Sequence, residues 1–442
     1  WSSLLAVLRD EKIIPYMGEL TADDSLNLWQ KVELMNQLQR TIFASEMIKD
    51  EEAEYKRNSD AYTALMDEIR QRNKKEFSYL PWEKRNKKIV LITKQFIGRQ
   101  HAPTEITLQM NRYLKELGYE VVLYVAYMPN RNTAPLWYKQ CLWNNFMNTA
   151  GAFQGEIEGE ELKGYNLLFT QENYPEQLYD AAEMIWQEAP EWVLEIGDKT
   201  IPVTNAPIIV LASDYTMAEE RRYQSWLKPY QQFVEVKHSI VGNTVVVEKE
   251  KKENYGIPED KFVILLVGNR LVQEVTEDFL KTIYAMLEEN PKAVLAVIGN
   301  CEALEKRIAE AYRERFYFLG YTEELQKTMT IGDLFLNPPR QGGGTGAMYA
   351  ILQEIPVVTL DNCDVQVNVG KVFTCDSVES MVNLVHQYCE DKGFMEKKKE
   401  ACRRKAEEIL AVDEKENYRR LCEFVETYTI RQEKQVQHPD GR

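Results

Sequence analysis

DLFLNPPRQGGGTGAMYAILQEIPVVTLDN, from Asp333 to Asn362, is the stretch whose reading decides the fold of this chain. A short apolar strand (Leu334 to Leu336) runs into Pro338-Pro339, then a glycine cluster (Gly342, Gly343, Gly344, Gly346), a segment of helical period, and a second apolar strand from Pro356 to Leu360. Glycines remove side chains where the backbone approaches something closely, and the following helix directs N–H groups and partial positive charge at that point. Two readings follow: a tight strand-to-helix turn, or an anion site, most economically for a diphosphate, at the carboxyl end of a strand. No Lys-Ser or Lys-Thr pair follows the glycines, which excludes a Walker-type nucleoside-triphosphate hydrolase.

With 442 residues, 44% of them hydrophobic, the chain has material for more than one domain. Its formal net charge of −16 disfavours broad attraction to nucleic acid or to an anionic membrane, so an anionic substrate needs a local positive field. The seven cysteines have no short paired spacing, so neither a zinc site nor a disulfide framework is indicated, and a cytoplasmic location is expected. No apolar run is long enough to span a membrane. The sequence opens on Trp1 rather than Met, so a native start upstream of it is expected.

Four segments are read along the chain. Residues 1–85 form an N-terminal helical segment, with apolar positions such as Leu28, Val32 and Met35 at helical spacing, and Asp50-Glu51-Glu52 as a solvated face. Residues 86–248 open as a βαβ unit: strand Ile89 to Thr93, a helix from Pro103 to Leu117 closed by Gly118, and strand Val121 to Ala126. Further strands are expected at Asn166 to Thr170 and Ile208 to Ala212, with a helix from Pro175 to Ala189 between them. Residues 249–410 follow a polar linker, Lys249 to Pro258, and give strands at 262–267, 293–298, 316–320 and 334–336, with helices at 276–289, 305–312 and 322–329. Residues 411–442 are a C-terminal helix and polar tail. The fold class is therefore α/β, with two Rossmann-like doubly wound domains facing a cleft behind an N-terminal helical segment.

His101 lies just past the first strand, where such folds place their chemistry, and is either a general base or a helix-start capping residue. Glu172 follows a later strand and is either an acid–base group or a helix cap. His238, His386 and His438 have weaker positions. Tyr215 to Tyr230, rich in aromatics, either lines an acceptor cleft or braces its domain.

The succession of GNR (268–270), FLGYTEELQKTMTIGDLFLNPP (318–339) and GGGTGAMYAILQEIPVVTL (342–360) resembles the nucleotide-sugar half of GT-B glycosyltransferases. Glycogen synthase-like members carry two glutamates eight positions apart across this turn, and alignment on Pro356-Val357-Val358 puts Gln341 and Tyr349 there instead. The pattern is closer to O-linked N-acetylglucosamine transferases and bacterial adhesin glucosyltransferases, which Gly98, His101, Pro103 and Thr104 also resemble with one-residue insertions. The resemblance implies a glycosyltransferase that moves a sugar from a nucleotide donor, expected to be uridine diphosphate-linked, to a protein or glycan acceptor.

On that reading Gly343, Gly344, Thr345 and Gly346 offer N–H groups and a hydroxyl to the diphosphate, with Arg270 and Arg340 as the nearest cations, each of which equally suits a surface or salt-bridge role. Thr345 equally suits a helix N-cap. Asn269, Tyr321, Thr322 and Leu325 are placed by the resemblance near the base or ribose, and Asp361 or Asn362 near ribose or sugar hydroxyls. No Asp-x-Asp pair marks a metal site, so no metal and no cofactor beyond the sugar nucleotide is expected. The basic clusters Lys397 to Lys399 and Arg403 to Lys405 read as a solvated face in preference to a peripheral membrane contact. Two other readings stay open: a non-catalytic GT-B subunit that supports a partner glycosyltransferase, and a sugar-nucleotide epimerase of the same design.

Overall fold

A computed structural model of the chain describes residues 23–26, 31, 50–73, 88–93, 102–125, 166–167, 192–195, 201, 207–211, 220–237, 247–340, 342–361 and 363–437. The described residues divide into two compact units, one drawn from Trp1–His238 and Asp413–Arg442, the other from Ser239–Val412.

In the first unit, α1 (Glu51–Asn73) lies within the expected N-terminal helical segment and starts where the Asp50 carboxylate accepts the Ala53 N–H at 3.0 Å. Then come β1 (Lys88–Thr93), α2 (Ala102–Glu116) and β2 (Glu120–Val125), with β1 and β2 parallel and β3 (Asn166–Leu167) beyond β2. Gly118 ends α2 with φ +88°, a left-handed position that glycine takes without strain. A second parallel sheet has the order β4 (Trp192–Glu195), β5 (Ile208–Leu211), β6 (Gln232–Glu235). Tyr55 and Tyr62 of α1 pack with Tyr223, Trp226, Ile209 and Leu211. The Tyr223 and Trp226 rings meet edge-on at 4.8 Å, so this part of the aromatic stretch braces its unit.

The second unit, drawn from Ser239–Val412, includes the segment read as a linker. That reading needs correction, because Lys252 is buried: its Nζ donates to Asp333 Oδ2 and to the Lys261 carbonyl, each at 2.7 Å, while the same Asp333 oxygen accepts the Val263 N–H at 2.8 Å. From there the order is β7 (Phe262–Val267), α3 (Leu271–Glu274), α4 (Glu277–Glu289), β8 (Ala293–Ile298), α5 (Glu302–Glu305) and β9 (Phe316–Gly320). It continues through α6 (Leu325–Met329), β10 (Leu334–Leu336), α7 (Gly344–Leu352), β11 (Val357–Leu360), α8 (Asp364–Val369), β12 (Thr374–Cys375), α9 (Val378–Glu390) and α10 (Lys392–Leu410).

These strands form one parallel sheet in the order β12-β11-β10-β7-β8-β9. Successive side chains point to opposite faces and both faces are covered, so the strands read as unbroken apolar runs. Val263, Leu265, Phe335 and Val357 join the core on one face with Ala347, Ile351 and Cys402. Ile264, Leu266, Leu334 and Val358 join the other with Ile283, Met286 and Val385. The Thr276 hydroxyl caps α4 by accepting the Phe279 N–H at 3.2 Å. His386 of α9 bonds Asn290 just past the end of α4, a structural place for that histidine.

One helix differs from expectation. In place of continuous helix over 305–312 the chain has α5 and then a 3-10 turn at Glu310–Arg315. Ala309 is extended because its N–H bonds the Tyr284 hydroxyl at 3.0 Å, and the Arg307 guanidinium bonds the carbonyls of Val272 and Val275.

The chain ends in α11 (Glu414–Gln437), which belongs to the first unit. Tyr418 is fully buried and stacks on Tyr113 of α2 at 6.0 Å, Lys415 pairs with Glu116, and the Asn417 amide donates to the Lys237 carbonyl. Among the described residues no helix is long and apolar enough to cross a membrane.

The Lys252 pair gives a test of the second unit. Asp333→Ala strips the counter-ion from a side chain only 10% exposed and unpairs the Val263 N–H. It is expected to lower unfolding free energy by about 2–4 kcal/mol, read as a lower urea midpoint, while Asp278→Ala at an exposed pair leaves the midpoint in place.

Candidate functional site

The first strand of the second unit's sheet, β7, lies in its interior next to β10, and the chain leaves these two strands in opposite directions. Such a switch point opens a crevice at the carboxyl ends of the two strands. The turn after β7 is Gly268-Asn269-Arg270, and the turn after β10 leads through the glycine cluster into α7.

Gly342 and Gly343 have φ of +90° and +95°, a conformation other residues adopt only under strain. Gly343 is the N-cap of α7 and, as a glycine, makes no side-chain cap bond, and Thr345 sits inside the first turn. The first intrahelical bond runs from the Ala347 N–H to the Gly343 carbonyl at 3.1 Å. The N–H groups of Gly344, Thr345 and Gly346 therefore belong to the turn whose donors have no acceptor within the helix.

Arg340 has another place. Its side chain is 4% exposed, and its guanidinium donates to Glu274 Oε2 at 2.7 Å, Asn337 Oδ1 at 2.8 Å and the Val267 carbonyl at 2.9 Å. A Cβ at Gly343 would lie 2.6 Å from its Nη2, and a Cβ at Gly268 would lie 2.6 Å from its Nη1. Two glycines of the site thus make room for the protein's own guanidinium. The network continues as Asn337 Nδ2 donates to Thr359 Oγ1 at 3.0 Å, and Thr359 Oγ1 lies 3.1 Å from Cys363 Sγ. It joins the carboxyl ends of β7, β10 and β11.

Arg270 is 66% exposed and pairs with Glu274 Oε1 at 3.0 Å, and its Nη2 lies 2.9 Å from where a Cβ on Gly342 would be. Glu274, 10% exposed, thus bridges both arginines. The sequence reading passed over Glu274, Asn337 and Thr359. The i,i+4 spacing of Arg270 and Glu274 and two polar residues at apolar strand ends were the available signals.

Tyr321 stands at the carboxyl end of β9, 61% exposed. Three inter-strand spacings separate β9 from β10, about 14 Å, so the tyrosine and the glycine turn are spaced for an extended nucleotide. Thr322 accepts the Glu324 N–H and the Thr328 hydroxyl, which shapes the start of α6, and Leu325 packs against the core. Asn269 and Asp361 are exposed at the ends of β7 and β11. Tyr349 packs against the apolar core. Burial pushes the Cys375 thiol up to about 11, which leaves little thiolate at neutral pH. His101, Glu172, Gln341, Asn362, His238 and His438 lie outside the described residues. Among the described residues no group of three or more His, Cys, Asp or Glu is arranged to hold a metal ion.

Residues 247–409 match the family model described as glycosyl transferases group 1, which covers the second unit. Over the whole chain, a mutant of the Thermobaculum terrenum O-GlcNAc transferase superposes with TM-score 0.53 at 12% identity, covering 96% of this chain and 82% of that one. Sucrose-phosphate synthase from Thermosynechococcus elongatus gives 0.52 at 12% identity over 76% of this chain and 98% of that one. No curated protein matches the sequence. The fold is that of the GT-B glycosyltransferases, and residues 247–409 within the second unit match the glycosyl transferases group 1 model.

The packing of Arg340 separates two glycines of the same cluster. Gly343→Ala places a methyl group in the guanidinium at positive φ and is expected to cost about 1–2 kcal/mol. Gly346→Ala meets the Phe335 ring at 3.5 Å and Val267 Cγ1 at 3.9 Å, both ordinary contacts, and is expected to change stability by less than about 1 kcal/mol. Equal losses for the two in urea unfolding would contradict this packing.

Proposed function

We propose, from a glycosyl transferases group 1 domain carried on a GT-B fold, that the chain transfers a sugar from a nucleotide donor to a protein or glycan acceptor. The observation that carries the reading is the uncapped N-terminus of α7 behind a two-glycine left-handed turn, at the switch point of the matched domain. The donor diphosphate accepts from the N–H groups of Gly344, Thr345 and Gly346, and Arg270 supplies the exposed positive charge. Arg340 supports the turn from beneath. Tyr321 offers a face on which the base stacks, with Asn269 and Asp361 available to ribose or sugar hydroxyls. The donor is expected to be a uridine diphosphate sugar and the site of action the cytoplasm.

In this proposal the leaving diphosphate is stabilised by backbone N–H groups and Arg270, without a metal. His101 is assigned to the proton of the acceptor or to the leaving phosphate, with Glu172 as the second acid–base candidate. A second reading, a non-catalytic subunit that supports a partner glycosyltransferase, is favoured by one observation: Tyr349, aligned where retaining relatives of the family carry a glutamate, packs into the core.

Calorimetric titration with nucleoside diphosphates and their sugars tests the donor site. Uridine diphosphate is expected to bind, Arg270→Ala to weaken it about 10- to 100-fold, and Gly344→Asp to abolish binding. Absence of any nucleotide binding by the native chain would sink the reading. Release of free diphosphate in the presence of acceptor marks a transferase, conversion of the donor sugar an epimerase, and binding with neither a non-catalytic subunit.

A further inference from the structure

The two arginines nearest the glycine turn share one carboxylate. Glu274 Oε2 pairs with the buried Arg340 at 2.7 Å, and Glu274 Oε1 pairs with the exposed Arg270 at 3.0 Å. The same Arg270 nitrogen lies 2.9 Å from the Cβ position of Gly342, so the carboxylate stands one guanidinium away from the turn that the proposed donor occupies. Two cations and one anion leave this cluster with a single net positive charge.

A ligand's charge decides how strongly such a cluster discriminates. A nucleotide sugar holds its diphosphate as a diester with about two negative charges, whereas the free diphosphate has a terminal phosphate whose second proton leaves near pH 6, giving about three. A fixed carboxylate a few ångströms away repels the more highly charged ligand more, because the energy scales with the product of charges. We propose that Glu274 is a specificity-determining residue of the donor site, which lowers retention of the free nucleoside diphosphate product relative to the nucleotide-sugar substrate. The inference rests on the donor-site reading given above. Its physical content is separate: a resident carboxylate holds one arginine in the protein and limits the charge that the pair presents.

Removing the negative charge gives a signature that a purely structural role does not. Glu274→Gln leaves the buried guanidinium of Arg340 without its counter-charge, so apo stability falls, while the positive field at the turn rises. Measured by calorimetry on the full chain with uridine diphosphate and uridine diphosphate glucose, this variant is expected to bind the free diphosphate about tenfold tighter. The gain for the sugar nucleotide is expected to be about two- to threefold smaller than that. Arg340→Gln leaves the carboxylate with Arg270 as its remaining partner in the cluster and no net positive charge there, and moves the ratio of the two affinities the opposite way, which gives a second arm should Glu274→Gln not fold. Weaker binding of both ligands by Glu274→Gln, or equal changes for the two, overturns the inference and assigns Glu274 to structure alone. Failure of the native chain to bind either ligand overturns the donor-site reading and this inference with it.

Discussion

Burial of the Arg340 guanidinium is the constraint on which the geometry of the second unit's crevice depends. An ion removed from water is tolerated only with a counter-charge and with its N–H groups bonded. Glu274 supplies the first, and the Asn337 side chain and Val267 carbonyl join in supplying the second. The planar group also needs flat, unobstructed backbone on either side, which Gly268 and Gly343 provide. One side chain therefore fixes the turn after β7, the turn after β10 and the start of α7 as a single piece, and Thr359 and Cys363 extend it to β11. The direction in which the α7 N–H groups point follows from this piece.

The chain's excess of acidic residues gives this small cluster its meaning. A protein of net charge −16 has no general attraction for anions, so a phosphate must be drawn by local fields. A helix terminus acts over its first turn, and an exposed arginine is screened within about 10 Å at ordinary salt. Arg270 lies close enough to Gly342 for the two to act together, whereas Arg403, held by Glu354, Glu396 and Glu400, belongs to a solvated network. Proximity of charges, in place of their number, sets what this site attracts.

The second unit was largely legible in the sequence because both faces of its sheet are covered. Phe262 to Val267 and Ala293 to Ile298 are unbroken apolar runs, and the observed strands coincide with them. A strand with exposed positions was not legible: β6 begins with Gln232 and ends with Glu235, both exposed. Local period also overstated the helix at 305–312, where side-chain bonds from Tyr284 and Arg307 hold the backbone. At the site, the glycine cluster was legible as a place of close approach, but one dimension does not reveal what approaches. For Gly343 it is Arg340, read from sequence as either a phosphate-binding cation or a salt-bridge residue and found beside the turn in an ion pair with Glu274. Glu274 escaped notice because its importance comes from a partner 66 positions away in the chain, beside β10.

The stacking of Tyr418 on Tyr113 makes the first unit discontinuous along the chain. During synthesis every strand of the second unit is made before α11, the helix that packs on α2. A nascent chain at that stage has all the strands of the second unit and a first unit whose α2 still lacks the Tyr418 ring that stacks on Tyr113. The order of translation thus makes α11, synthesised after the second unit, a closing step of the unit begun before it, and a premature stop in that helix falls on the first unit.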